Sequence, residues 1–179
     1  EVSRGLGDVY KRQPQVVIIL VEGAAIGGGL GLACVSDITL VHQETKFRLS
    51  ETSLGIPPAQ IAPFVVQRIG ITNARYLMLT GAKFDGKKAF EIGLAHAVFQ
   101  DSCQMEQRLA DILSEINECA KNANAATKKI LLKALCSPMT ETLDFASFEF
   151  ANCMLGYEGR EGVSAFLEKR KPFWVENDG

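Results

Sequence analysis

The chain has 179 residues, 47% of them hydrophobic, which is enough for one domain with a full core plus a helical appendage and short for two independent domains. With 19 Lys and Arg against 21 Asp and Glu, the formal charge is −2 and the signs are mixed, so there is no basic stripe for nucleic acid and no polybasic run for a membrane surface. Five cysteines without a Cys-x-x-Cys pair suit a reducing compartment, and no run has transmembrane length, so the expectation is a soluble protein of the cytoplasm, or of the mitochondrial matrix in a eukaryote.

Residues 1–13 lack periodicity and end abruptly at Pro14; they read as a non-native, adaptor-like segment and are set aside. Val16 to Val21 is a continuous apolar run of the kind buried on both faces of a sheet. The glycine-rich turn Gly27-Gly28-Gly29-Leu30-Gly31 follows, and Leu30 to Val35 reads as a buried helix. Its first backbone N–H groups have no partner within the helix and sit at its positive end, where they suit a developing negative charge. Taken alone, the same glycines equally suit tight strand-to-helix packing.

Asp37 to Val41 predicts a second strand and Lys46 to Leu49 a short third one. Glu51 stands just beyond it, opening a turn that runs to Pro57-Pro58. A helix from Gln60 should stop at Gly70, and a second, capped by Thr72, should stop at Gly81. Asp85 caps a helix over Gly86 to Ile92, and Leu94 to Phe99 follows as an extended segment. From Ser102 the pattern becomes helical throughout. Leu109, Ile112, Leu113, Ile116 and Ala120 share one face, Ile130, Leu131, Ala134 and Leu135 a second, a third helix starts at Pro138, and Gly159 to Arg170 forms the last. That apolar helical tail predicts a contact between subunits.

Several chemistries fail on spacing. The dinucleotide pattern Gly-x-Gly-x-x-Gly ends at Leu32 when started from Gly27 and at Cys34 when started from Gly29, and no Gly-Lys-Ser/Thr phosphate loop occurs. His42 and His96 stand apart with no carboxylate pattern for a metal, and no Gly-x-Ser-x-Gly elbow surrounds Ser36, Ser50 or Ser53. What remains is an oxyanion-type turn and one carboxylate. That pairing suits proton transfer next to a thioester carbonyl, whose enolate oxygen backbone donors can hold.

At this point the sequence resembles the crotonase family, the enoyl-CoA hydratase/isomerase group. The matching blocks are Val21 to Ala33, Ser36-Asp37-Ile38, Phe47 to Gly55, Leu79-Thr80-Gly81, Ala89 to Leu94 and Glu161 to Arg170, in that order. The resemblance implies an α/β fold: a partial crotonase-like ββα spiral core over 14–101, followed by a C-terminal helical trimerisation region over 102–179. It implies acyl-CoA substrates, coenzyme A entering as part of the substrate, no separate cofactor, no metal, no nucleic-acid or membrane partner, and a homotrimer or dimer of trimers. Gly28 matches the family's second oxyanion donor and Glu51 its acid/base; the first donor is expected from a loop upstream of this chain. Ile26, Gly27, Ser50, Ser53 and Leu54 fall at substrate-binding positions, and Phe150 and Lys169 match positions that touch the CoA adenine and phosphates.

Family hydratases usually carry a further glutamate two residues after the glycine triplet, where this chain has Gly31. Two enzyme readings fit a single carboxylate. Ser53 to Val66 resembles hydratases of the bacterial methylglutaconyl-CoA type, whereas Glu51-Thr52 before Leu54-Gly55-Ile56 resembles the Δ3-Δ2 enoyl-CoA isomerases. A third reading keeps the scaffold as a non-catalytic CoA-binding or oligomer subunit.

Overall fold

The computed structural model describes residues 9–176; the adaptor-like segment therefore lies largely outside the described residues, and residues 9–12 of it are helical. The apolar run forms β1 (Ile18–Val21), shorter than expected because Val17 is held by Asp37 instead: its N–H donates to Asp37 Oδ2 at 2.7 Å. A strand that the sequence reading missed, β2 (Ala24–Ile26), follows at once and leads into α1 (Gly28–Val35). Then come β3 (Ile38–His42), β4 (Lys46–Arg48) and a 3-10 turn, η1 (Glu51–Leu54).

Helix α2 (Ala62–Thr80) is broken at Gly70, whose φ of 73° and ψ of 160° leave the helical region, and it ends at Gly81 in the left-handed region. Both glycines stand where the sequence stops its helices. Thr72, read as a cap, lies inside the continued helix. Next are β5 (Lys83–Phe84), α3 (Gly86–Glu91) and β6 (Ala97–Phe99). Asp85 caps α3 as expected, accepting the Lys88 N–H. The extended segment is shorter than Leu94 to Phe99 because the Leu94 and Ala95 N–H groups both turn back to Ala89 O, closing the end of α3.

Two small sheets result. β1, β3 and β6 form one, all parallel, in the order β1-β3-β6. β2, β4 and β5 form the other, with β2 and β4 parallel and Ile26 opposite Arg48. The core gathers around Leu30, Ala33, Val41, Phe47, Leu49, Val65, Leu77 and Leu94. A polar cluster sits at the C-terminal end of α1. Arg68 donates to Leu94 O at 3.0 Å, Ser36 O at 3.3 Å and Thr39 Oγ1 at 2.7 Å, while the Thr39 N–H donates to His96 Nδ1 at 3.0 Å.

These elements belong to one compact unit, which includes residues 17–108; residues 109–176 with 12–16 form a second. Helix α4 (Ser102–Asn117) leads into the second unit, which holds α5 (Lys121–Ala134), α6 (Met139–Leu155), α7 (Tyr157–Glu168) and α8 (Phe173–Glu176). No helix among the described residues is long and apolar enough to cross a membrane.

Candidate active site

The pairing of β2 with β4 brings the two sequence landmarks together. Each strand ends in a loop on the same side, one carrying the glycines and the other Glu51. Gly27 adopts φ 54° and ψ −117°, a conformation that disfavours any side chain. Its N–H donates to Arg48 O at 2.9 Å and its carbonyl accepts the Gly31 N–H at 3.0 Å. Helix α1 begins at Gly28 with no side-chain cap, so its first-turn amides keep their donor capacity for something outside the helix. The space over Gly28 is open: a Cβ placed there meets nothing within 4 Å.

Glu51 reaches back over this turn. Its Oε1 lies 2.9 Å from where a Cβ on Gly27 would stand, so even alanine at 27 would collide with the carboxylate. Its Oε2 is buried and, among the described residues, is the buried side-chain oxygen or nitrogen that lacks a hydrogen-bond partner. A buried carboxylate oxygen without a partner costs free energy, and such groups concentrate where a ligand or a proton supplies the missing bond.

The turn beneath Glu51 is fixed at several points. Ile56 N–H donates to Glu51 O at 3.1 Å, Ser53 N–H to Ser50 O at 3.0 Å and Thr52 Oγ1 to Met78 O at 2.8 Å, while Gly55 closes the turn with φ 77°. Ser53 Oγ accepts from Arg48 Nη2 at 3.1 Å. Ile26 and Leu54 are large apolar residues left 53% and 73% exposed, and Ser50 makes no side-chain cap bond.

Gly31 is buried against Ile61: a Cβ there would fall 2.9 Å from Ile61 Cβ, with Cγ2 closer still. The place where a second carboxylate would start is filled by a β-branched side chain. Phe150 and Lys169 belong to the second unit. Phe150 lies on α6 and is 66% exposed, and Lys169 ends α7 in the left-handed region with φ 54°. Sequence reasoning missed Arg48, Thr52 and Ile61 as neighbours of the site. Arg48 gave one signal, a charged residue between Phe47 and Leu49 whose side chain must leave the core face.

Among the described residues, no group of three His, Cys, Asp or Glu could hold a metal ion. The buried Cys34 thiol is pushed up to about 12 by desolvation, against a smaller opposing pull from Arg68, so it remains a neutral thiol.

A family model described as enoyl-CoA hydratase/isomerase matches residues 4–177. An enoyl-CoA hydratase of Alternaria alternata, ACTT6, is 34% identical over 154 residues, covering 86% of this chain and 51% of that protein. A peroxisomal Delta(3,5)-Delta(2,4)-dienoyl-CoA isomerase of Arabidopsis thaliana is 30% identical over 160 residues, covering 87% and 56%. The chain thus spans about half the length of these relatives. Among solved structures, Pseudomonas aeruginosa AtuE superposes with a TM-score of 0.94 at 50% identity, over 97% of this chain and 67% of that one. An enoyl-CoA hydratase/isomerase from Marinobacter aquaeolei gives 0.93 at 42% identity, over 97% and 66%.

Proposed function

Because this chain belongs to the enoyl-CoA hydratase/isomerase family and shares the crotonase fold, we propose that it acts on an acyl-CoA thioester as a hydratase-like enzyme with Glu51 as its single acid/base. The observation that carries the reading is the buried, unpartnered Glu51 Oε2 beside the glycine turn. In the proposed reaction the Gly28 N–H holds the thioester oxygen. Glu51 takes a proton from water as the hydroxyl adds to the β-carbon of a 2-enoyl-CoA, and the charge passes to the thioester oxygen as an enolate. Glu51 then returns the proton to the α-carbon, so one water is added and no other reactant is consumed. The open space over Gly28 and the exposed Ile26 and Leu54 suit a ligand lying across the turn, with Gly27, Ser50 and Ser53 beside it.

A second reading draws on Ile61. With the room over Gly31 filled, the site offers one carboxylate, and one carboxylate suffices to move a proton from C2 to C4 of a 3-enoyl-CoA without water. The resemblance of Ser53 to Val66 to hydratases supports hydration first. In the complete native chain, Glu51→Gln is expected to lose about 100-fold or more of turnover. Full activity in that variant overturns the role given to Glu51. Incubating the native enzyme with a 2-enoyl-CoA and a 3-enoyl-CoA in separate reactions, with uptake of 18O water followed by mass spectrometry, separates hydration from isomerisation.

A further inference from the structure

The carboxylate and the glycine turn follow different strands, β4 and β2, and one residue is bonded to both halves. The main-chain carbonyl of Arg48 accepts the Gly27 N–H at 2.9 Å, which fixes the residue just before the open amide of Gly28. The side chain of the same residue goes the other way. Arg48 Nε donates to Gly81 O at 3.0 Å and Nη2 donates to Ser53 Oγ at 3.1 Å, so one guanidinium ties the end of α2 to the turn that carries Glu51.

Gly81 makes that approach possible. It holds φ 61°, and a Cβ at this position would lie 2.8 Å from Ser53 Oγ, so the turn, the helix end and the guanidinium meet where only a glycine fits. Thr52 adds a parallel tie to Met78 O, but it touches neither Arg48 nor the glycine turn in that bond. We propose that Arg48 is a positioning residue, holding the Glu51 carboxylate over Gly27 by anchoring the glycine turn through its backbone and the glutamate turn through its guanidinium.

This rests on the proposed role of Glu51 and adds a requirement of its own. A guanidinium offers two donors in a fixed fork, and a lysine ammonium at the end of a flexible stem does not reproduce that geometry. Releasing the fork lets the turn, and Glu51 with it, move relative to Gly28. Displacement of a reacting group by about 1 Å is enough to cost up to about 100-fold in rate. The loss is expected in turnover rather than in binding, because both side-chain bonds of Arg48 go to other parts of the protein, Gly81 O and Ser53 Oγ.

The test is steady-state kinetics of the complete native chain, with active sites counted by binding of the acyl-CoA so that unfolded molecules do not enter the rate. Arg48→Ala is expected to lower kcat per site by about 10- to 100-fold with KM within about threefold of native. Arg48→Lys should fall short of full recovery, because the ammonium does not reproduce the fork. A kcat within about twofold of native in Arg48→Ala, while Glu51→Gln is inactive, overturns the proposal and leaves Glu51 in place. Full activity in both variants sinks the role of Glu51 itself. If Arg48→Ala does not fold, Arg48→Lys carries the test, because it keeps the charge and removes the fork; a kcat within about twofold of native there counts against Arg48.

Discussion

Three glycines of the turn are glycine for three different reasons, and substitution separates them. Gly27 has a left-handed φ and Glu51 Oε1 within 2.9 Å of its missing Cβ, so Gly27→Ala is expected to displace the carboxylate and to reduce activity along with stability. Gly31 lies under Ile61, and Gly31→Ala should cost about 1–3 kcal/mol by overpacking, read from urea unfolding. Trimming the partner with Ile61→Ala should recover part of that loss in the double variant, and strictly additive losses would show that the two side chains do not compete. Gly28 has neither problem. It is the first helical residue with open space around its Cβ position, where proline is well tolerated, yet proline removes the N–H. Gly28→Pro is therefore expected to unfold like the native protein and to lose about 100- to 1,000-fold in kcat, as deletion of one oxyanion donor does elsewhere. Native turnover in this variant would rule out the Gly28 amide as the donor.

At the scale of elements, the ends of α1 do opposite things. Its N-terminus is left open, whereas its C-terminal end is held to β3, α2 and the segment before β6 by Ser36, Thr39, Arg68 and His96. Partial desolvation of the His96 ring and then the Arg68 cation hold its pKa below the ordinary 6.5. The folded state therefore binds fewer protons than the unfolded state in this window. Its stabilising contribution is full above about pH 6.5 and is lost as pH falls through the folded value. The urea midpoint should fall between pH 7.5 and 5.5, and His96→Gln should flatten that fall; an unchanged slope would assign it to other groups.

The same elements mark how far the sequence could be read. The break at Gly70, the stop at Gly81 and the Asp85 cap were legible because each is a local property of one residue's backbone or side chain. β2 was not, because three residues with one buried side chain carry no period, and its existence depends on β4 lying 22 residues away. For that reason the sequence could suggest that the glycine turn and Glu51 work together but not the contact between them, and Arg48, which is bonded to both loops, gave only the weak signal of a charge between Phe47 and Leu49.

For the molecule as a whole, apolar periodicity in the helical unit translated only in part into burial within one chain: Ile112 is buried, whereas Leu113, Leu131 and Leu135 are exposed. On α6, Leu143, Phe148 and Phe150 are 57%, 63% and 66% exposed, and Phe166 on α7 is 83% exposed. Single exposed apolar residues are ordinary, but so many large ones within one unit argue for a covering surface. The occupant proposed from the family resemblance is a second and third copy of the chain, as a trimer or dimer of trimers. Sedimentation velocity of the complete native chain at micromolar concentration is expected to give a mass that is a multiple of three protomers. Phe166→Glu places a charge on the most exposed of these aromatics and should shift the distribution toward smaller species while leaving the far-ultraviolet circular dichroism unchanged. A monomer at all concentrations in the native chain would leave these side chains without that occupant.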